Sequence, residues 1–404
     1  MKDKKRLNKS IMQICTSVLV ILCMMSCAST KHEHYVVALS LDGFRNDYPQ
    51  MANTPVLDSM ARVGIHAPFR PCFPSVTFPN HYSMATGLYP DHNGLVNNFF
   101  YAPDLDSCYR MGLDDPRFFG GEPIWNTAEK QGVRSASFFW VGSDINIGGL
   151  PSNYKHFTKT IPFSNRADTV LAWLQLPAKT RPHLIMWYIE EPDAVGHLFK
   201  PESKQVKNMV ESLDSLLGAF FNKARKLKTF KKTDFIVVSD HGMATYKKEN
   251  FVNLADYLPR DSFNYVFDGV PTLLYPKSTY IETAYKILKT VPHITIYKKN
   301  EIPERLHYGT NARIGELVAV PDIGAFIRFR ENDHKTFSGA THGYDNAAPE
   351  MQGIFYAAGP SFKHKENFPT MENVNLYLII ARLLNIKPAP NDGNVELVNE
   401  LLKK

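Results

Sequence analysis

Residues 34–44 read HYVVALSLDGF, an apolar run rich in β-branched residues that stops at Asp42 and Gly43. Three later runs have the same character: HLIMWYIEEPD (183–193), DFIVVSDHG (234–242) and GIFYAAGP (353–360). Strands that are apolar almost throughout suit a sheet covered on both faces. Helical patterns separate them, in 54–64, 202–227 and 371–388, the last ended by Pro388. The alternation predicts an α/β fold with a mostly parallel central sheet flanked by helices.

Residues from about 250 to 340 differ from this pattern, with shorter strand-like runs, more polar turns and more prolines. We interpret them as a small cap subdomain inserted in the main fold.

The first residues have the layout of an export signal. A basic head is followed by an apolar run from Ile11 to Met25 and a small-residue segment, and the run is shorter than a membrane-spanning helix requires. Ser26-Cys27 resembles a bacterial lipobox, in which the cysteine carries the lipid. We therefore expect a signal peptide over residues 1–27 and an exported, periplasmic protein that is lipid-anchored to the membrane. The alternative is an ordinary cleaved signal with a chance cysteine.

Charge and cysteine content exclude several classes. The formal net charge is +6, but the first ten residues carry five basic groups and one acidic group, which leaves about +2 for the remainder. We expect no nucleic-acid polymer as a partner, and KARKLKTFKKTD (223–234) is interpreted as a solvated helix end. Cys72 and Cys108 either pair in a disulfide or remain separate thiols. No Cys-x-x-Cys pair is present, which disfavours a thiolate metal site.

Three of the apolar runs end in an aspartate: Asp42, Asp193 and Asp240. In an open α/β sheet, ligands bind outside the carboxyl ends of the strands, so these side chains are expected to converge. Three histidines accompany them. His197 lies one helical turn after Asp193, His241 is next to Asp240, and His342 lies in SGATHGYDN (338–346).

Each of these residues alone has an ordinary structural explanation as a cap or a satisfied polar group. Together they supply the oxygen and nitrogen ligands for two Zn²⁺ ions. Two such ions and three carboxylates leave a charge near +1, which suits a phosphodiester monoanion. His81 is expected to pack near this site without binding metal.

The stretch PSVTFPNHY (74–82) places a hydroxyl beside these ligands. Pro79 suits the first turn of a helix, so Thr77 is expected at a helix N-terminus, where free N–H groups favour an anion. The structural alternative is an N-cap threonine. Near two metal ions, Thr77 would instead be an activated nucleophile.

At these residues the chain resembles the nucleotide pyrophosphatase/phosphodiesterase family of the alkaline phosphatase superfamily. The resemblance covers nearly all of residues 28–404, which it identifies as one phosphodiesterase catalytic domain. It is carried, in order, by these stretches: LDGFR, TPVLDSMARVG, FPSVTFPNHYSMATGLYPDHNGLVNNFFY, EPIWNTAEKQG, FFWVGSD, YIEEPDAVGH, VVSDHGM and THGYDN. In WVGSD (140–144) a valine follows the tryptophan where the family usually has proline, and this lies near the substrate pocket.

The resemblance implies a role for each matching residue. One zinc would be bound by Asp193, His197 and His342. The other would be bound by Asp42, Asp240 and His241, with Thr77 as a further ligand and the nucleophile.

For the substrate, Asn98 would donate to a phosphoryl oxygen, and the backbone N–H of Phe78 would also face the phosphate. The ring of Phe78 would pack on a nucleobase, with Tyr154 or Phe157 on its other side. Core packing is the alternative for these aromatic residues.

The expected activity is therefore hydrolysis of nucleotide phosphodiester and phosphoanhydride bonds through a phospho-threonine intermediate, with a small-molecule substrate and no obligate protein partner. The alternative within the family is hydrolysis of choline-type or lipid-headgroup phosphodiesters. An alkaline phosphatase would need an additional arginine, and a sulfatase a Cys-x-Pro-x-Arg type motif that CFPSV lacks. A catalytically inactive binding protein would need an altered ligand set, and all six positions are intact.

Overall fold

The computed structural model describes residues 34–331, 335–365 and 368–403. The predicted signal peptide and its cysteine at position 27 therefore lie outside the described residues. In the part described, the chain forms eighteen strands and eleven α-helices. The strands are β1 (Tyr35–Leu41), β2 (Ile65–Arg70), β3 (Phe99–Ala102), β4 (Ser107–Arg110), β5 (Ser135–Phe138), β6 (Asn153–Lys155), β7 (Leu184–Ile189), β8 (Thr233–Val238), β9 (Ala244–Tyr246), β10 (Phe251–Asn253), β11 (Phe263–Phe267), β12 (Thr272–Pro276), β13 (Ile294–Lys298), β14 (Leu317–Pro321), β15 (Phe326–Arg328), β16 (Gly339–Thr341), β17 (Gly353–Ala358) and β18 (Met371–Glu372).

The helices are likewise numbered in chain order. They are α1 (Tyr48–Met51), α2 (Pro55–Val63), α3 (Thr77–Thr86), α4 (Pro90–Asn93), α5 (Ile124–Lys130), α6 (Phe163–Gln175), α7 (Asp193–Phe199), α8 (Lys204–Ala224), α9 (Ile281–Leu288), α10 (Asn375–Leu383) and α11 (Val395–Leu401).

The central sheet has eight strands in the order β18-β2-β17-β8-β1-β7-β5-β6. All neighbouring pairs are parallel except the two made by β17, which runs antiparallel to β8 and β2. The predicted α/β class is thus confirmed. Of the four apolar runs that predicted it, one, the run that forms β17, is antiparallel to its neighbours. We call the edge where β1, β7 and β8 end the carboxyl edge, and the opposite one the amino edge.

Both faces of this sheet are buried, which explains why its strands are apolar throughout. Along β1, Val36 and Ala38 face one hydrophobic cluster, packed with residues of α5 and α10. Val37 and Leu39 face the other, packed with residues of α2, α6 and α8. Alternate side chains of one strand therefore serve two separate cores.

A smaller antiparallel sheet has the order β11-β12-β14-β13. It falls within residues 250–340, and the pairing of β9 with β16 brings the two ends of this segment together. The boundaries of a cap subdomain there stay a prediction.

One sequence expectation needs correction, and one open alternative is decided. Helix α10 ends at Leu383 rather than at Pro388, because Asn385 takes the left-handed conformation with φ 51° and the N–H of Ile386 returns to Ala381 O. Of the two alternatives for the cysteines, the structure has separate thiols: Cys72 is a buried free thiol and Cys108 an exposed one. No helix of the described segments combines the length and apolarity needed to cross a bilayer.

Candidate active site

The carboxyl edge of the central sheet brings the predicted ligands together in two groups. We call Asp193, His197 and His342 cluster A; their ligand atoms lie within 4.8 Å of one another. Asp193 opens helix α7, so His197 falls one turn later on the same side, with Nε2 3.4 Å from Asp193 Oδ1. His342 Nε2 lies 3.6 Å from the same oxygen.

Cluster B consists of Asp42, Asp240 and His241, which follow β1 and β8. His241 Nε2 lies 3.0 Å from Asp240 Oδ2 and 3.5 Å from Asp42 Oδ1. The two clusters adjoin, since the rings of His241 and His342 stack with their centroids 3.6 Å apart.

Backbone carbonyls fix which nitrogen of each histidine faces the site. The Nδ1 atoms lie against the carbonyl oxygens of Ala340 for His197 and Gly242 for His241, at 2.8 and 2.9 Å. His342 Nδ1 lies 3.1 Å from Ser75 O. A carbonyl can only accept, so Nδ1 carries the proton and Nε2 keeps a free lone pair toward the cluster.

The carboxylates also fit a cation. Asp42 Oδ1, Asp193 Oδ1 and Asp240 Oδ2 are buried and have no hydrogen-bond partner, and these are the oxygens that face the imidazoles. Burial raises the pKa of Asp42 well above its usual value, and the charges of Asp240 and Asp193 add to the effect. Buried carboxylates that repel one another require compensating positive charge. The residues therefore fit two metal ions, and a set of carboxylate oxygens and imidazole nitrogens suits Zn²⁺.

Thr77 is the first residue of helix α3, and its Oγ1 lies 3.1 Å from His241 Nε2. It is half-buried and lies beside His241, whose ring stacks on His342 of cluster A. The hydroxyl is therefore placed where it could contact a metal in cluster B and a phosphate above both clusters.

Asn98 and Phe78 form a pair beside this hydroxyl. The backbone N–H of Phe78 donates to Asn98 Oδ1 at 3.0 Å, so it points at the amide rather than at free space. This bond orients the amide, because only the oxygen can accept, and it leaves Asn98 Nδ2 as a donor. At this position the structure offers the amide of Asn98, not the Phe78 N–H, for a phosphoryl oxygen.

An aromatic cavity of about 330 Å³ opens next to Thr77. Its walls include Phe78, Trp140, Phe157 and Tyr188. Tyr154 and Phe157 were the two candidates for the aromatic side chain on the other side of the base from Phe78. Phe157 lines the cavity, whereas Tyr154 lies on β6 and packs edge-on against His156.

One residue in contact with a predicted ligand was missed in the sequence, and one predicted neighbour lies where it was expected. The hydroxyl of Tyr188 donates to Asp42 Oδ2 at 2.6 Å, although Tyr188 lies within the apolar strand β7. His81, predicted only to pack nearby, lies with Nδ1 2.9 Å from Thr77 O and 3.4 Å from Asp240 Oδ2, and with Nε2 2.8 Å from Ser40 Oγ. A polar group inside a continuous apolar strand is the signal that identifies Tyr188.

Two glycines let the backbone come close enough to form the site. Gly43 has φ +65°, and a Cβ there would lie 2.8 Å from Asp193 Cβ. Gly242 lies in close contact with another segment: a Cβ there would lie 2.0 Å from Glu350 O. Any side chain at Gly242 would displace the backbone that carries His241.

Known proteins are similar to this chain in sequence and in fold. The model of the type I phosphodiesterase/nucleotide pyrophosphatase family matches residues 36–345. Human ectonucleotide pyrophosphatase/phosphodiesterase family member 1 is 35% identical over 90% of the chain and 41% of its own length. A venom phosphodiesterase from Crotalus durissus collilineatus is 33% identical over 93% of the chain and 47% of its own length. The chain thus spans less than half the length of these curated relatives.

Solved structures cover most of this chain. Human ectonucleotide pyrophosphatase/phosphodiesterase 5 superposes with a TM-score of 0.87 at 31% identity, covering 92% of this chain and 100% of that one. An inactive murine form, in which an alanine replaces a threonine, was solved in complex with AMP; it has the same TM-score at 32% identity and the same coverage. The chain belongs to the type I phosphodiesterase/nucleotide pyrophosphatase family, within the alkaline phosphatase superfamily.

Proposed function

We propose that the protein is a dinuclear-zinc phosphodiesterase and nucleotide pyrophosphatase that works through a phospho-threonine intermediate on Thr77. The observation that carries this is the position of Thr77 Oγ1, 3.1 Å from His241 Nε2 of cluster B, whose ring stacks on His342 of cluster A. Zn²⁺ ions held by the two clusters would supply Lewis acidity, which favours the ionised hydroxyl and stabilises negative charge on oxygen.

The chain's own residues define the reaction that follows. Thr77 Oγ1 bonds to phosphorus while the bond to the leaving alcohol or nucleotide phosphate breaks. Asn98 Nδ2 donates to a phosphoryl oxygen throughout, held in place by its bond from Phe78 N–H. Water then cleaves the threonine ester and restores the hydroxyl. Each displacement inverts phosphorus, so the two together retain its configuration.

The cavity supports a nucleotide as substrate. Its volume of about 330 Å³ and its aromatic walls suit a base held by stacking, and the AMP complex of a relative is consistent with this. One observation favours choline-type phosphodiesters as a second candidate: Asp114 and Asp144 also line the cavity, and carboxylates with aromatic rings attract a quaternary ammonium group.

Substitution of Thr77 tests the nucleophile. We expect Thr77→Ala to lower turnover of a chromogenic nucleotide ester by at least about a thousandfold while zinc content stays nearly unchanged, and Thr77→Ser to retain part of the activity. Rapid quenching of Thr77→Ser with excess substrate should then yield nucleotidylated protein. Undiminished turnover in Thr77→Ala would overturn the assignment.

Rates on a bis-nucleotide, a nucleoside triphosphate and a choline phosphodiester, measured side by side, decide between the two substrate classes. We expect the nucleotides to have the higher kcat/KM. A choline ester that is preferred over every nucleotide would reverse this assignment without affecting the nucleophile.

We also propose export with a lipid anchor at Cys27. The support is the sequence pattern of residues 1–27, together with relatives whose names describe venom and ecto-enzymes. Radiolabelled palmitate should be incorporated into the protein, and Cys27→Ser should abolish both the label and sedimentation with membranes. Equal labelling of Cys27→Ser would refute the anchor.

A further inference from the structure

A second cavity lies at the amino edge of the central sheet, away from clusters A and B. Its volume is about 570 Å³, within the range of about 300–1,000 Å³ typical of small-molecule sites. It is bounded by helices α2 and α8 and by the sheet, where Thr233 and Phe235 begin β8 and Ala358 ends β17. Thr233 and Asp240 are seven residues apart along β8, which places the cavity about 20 Å from the active site.

The inner walls of this cavity are apolar. Val56 and Met60 of α2 face Phe221 of α8, and the ring of Phe235 lies with its centroid 5.1 Å from that of Phe221. The two helices are close together at Gly218, where a Cβ would lie 3.3 Å from Val56 Cγ2. Beyond that contact they leave room for a hydrocarbon chain.

Two cations line the cavity. Arg225 follows the end of α8 and Lys231 follows six residues later, and both are exposed and line the cavity. Arg225 is held there by a bond from Nη1 to Asn222 Oδ1 at 3.1 Å and lies over the ring of Phe221. No carboxylate of the described segments pairs with Arg225 or Lys231.

We propose that this cavity binds a single-chain anionic amphiphile, with its hydrocarbon chain between α2 and α8 and its head group on Arg225 and Lys231. Charge and shape together select this class. A small polar anion would leave the apolar walls uncovered, a neutral chain would leave both cations without a counter-charge, and a cationic amphiphile would be repelled. The basic segment 223–234, interpreted from sequence as a solvated helix end, would thereby have a binding role.

Calorimetric titration of the protein with decanoate and dodecanoate, below their micellar concentrations, tests the proposal. If the chain enters the cavity, each added methylene should tighten binding about fourfold, so dodecanoate should bind about 16-fold more tightly than decanoate. Dodecyltrimethylammonium, with the same chain and the opposite charge, should bind at least tenfold more weakly than dodecanoate.

Matched variants locate the site. The double variant Arg225→Gln/Lys231→Gln should weaken dodecanoate binding at least tenfold. Its control, Lys226→Gln/Lys228→Gln, removes two exposed charges of the same segment that do not line the cavity, and should bind within twofold of the wild type. Ser59→Phe, which places a ring in the cavity, should abolish binding, whereas Ser59→Ala should not. Hydrolysis of the nucleotide ester should be unchanged in all four variants, which confirms that they fold.

Three outcomes would overturn the proposal. Equal losses in the two double variants would show a general effect of basic surface, and affinities independent of chain length would exclude the cavity. Binding to phosphatidylglycerol vesicles with none to monomeric dodecanoate would show that this face contacts a membrane instead. None of these outcomes bears on Thr77 or on the proposed hydrolysis.

Discussion

The hydroxyl of Tyr188 donates to Asp42 Oδ2 at 2.6 Å, while the ring of the same residue lines the aromatic cavity. One side chain therefore contacts both a ligand of cluster B and the space proposed for the organic part of the substrate. Its two functions can be separated, because the hydroxyl can be removed while the ring is kept.

Tyr188→Phe should lower zinc affinity about 10- to 100-fold, since hydrogen bonds to ligating groups contribute at this level. At saturating zinc, KM for a nucleotide ester should stay close to the wild-type value, because the aromatic wall is intact. Competition with a zinc chelator gives the affinity. Phe157→Leu, which alters the cavity without touching Asp42, serves as the control with normal zinc affinity. A Tyr188→Phe protein that binds zinc normally would contradict the role given to this hydrogen bond.

Phe157→Ala should weaken nucleotide substrates selectively. Base stacking on an aromatic ring contributes about 1–3 kcal/mol, so KM for the nucleotide ester should rise roughly 5- to 150-fold. The matched control is Tyr154→Ala, which removes an aromatic side chain on β6 outside the cavity and should leave KM unchanged. Equal effects of both substitutions would argue against a base slot at this position.

Asn98→Ala should reduce kcat/KM about 10²- to 10³-fold, because it removes the amide donor from the phosphate. Asn98→Asp separates this role from a structural one: a carboxylate still accepts the N–H of Phe78 but cannot donate to phosphate. We expect the aspartate variant to be at least as impaired as the alanine variant. Recovery of activity in Asn98→Asp would mean that the residue serves only to hold Phe78.

Chelation of the bound metal should lower the melting temperature. Asp42 and Asp240 are buried beside the half-buried Asp193, and cations that bind only the folded chain stabilise it by about 4 kcal/mol at a thousandfold excess over Kd. Calorimetry with and without a chelator measures the difference. Asp42→Asn should raise the melting temperature of the metal-free protein and reduce the further rise in melting temperature that zinc causes. An unchanged rise would exclude Asp42 as a ligand.

His66 should make stability depend on pH. Burial lowers the pKa of His66 below its usual 6.5, and its Nε2 has no hydrogen-bond partner. The unfolded chain therefore binds the proton more readily, so this residue's contribution is complete above about pH 6.5 and is lost as pH falls toward the folded pKa. His66→Phe keeps the stacking on Tyr356 and should flatten the slope of unfolding free energy between pH 5.5 and 7.5. His364→Phe, at an exposed position, should retain the wild-type slope.

The sequence was sufficient for those features that depend on local pattern. Apolar runs ending in Asp42, Asp193 and Asp240 predicted the strands and the edge where their side chains meet. It could not give the direction of β17, because a strand buried on both faces is equally apolar in either orientation. The bond between Tyr188 and Asp42, and that between Phe78 and Asn98, depend on packing between elements far apart in the chain. The close approach of Gly242 to Glu350 O has the same origin.

The spacing of the ligands along the chain determines when the site can form. Cluster A draws on residues 193, 197 and 342, and cluster B on residues 42, 240 and 241, so each cluster needs segments at least 140 residues apart. Early fragments of the chain contain single ligands or sequence neighbours, which bind metal weakly. Contacts between distant segments form late in folding. Under the proposed metal binding, uptake would therefore follow assembly of the sheet, and a nascent chain passing through a zinc-rich compartment would not be trapped by metal before its sheet is complete.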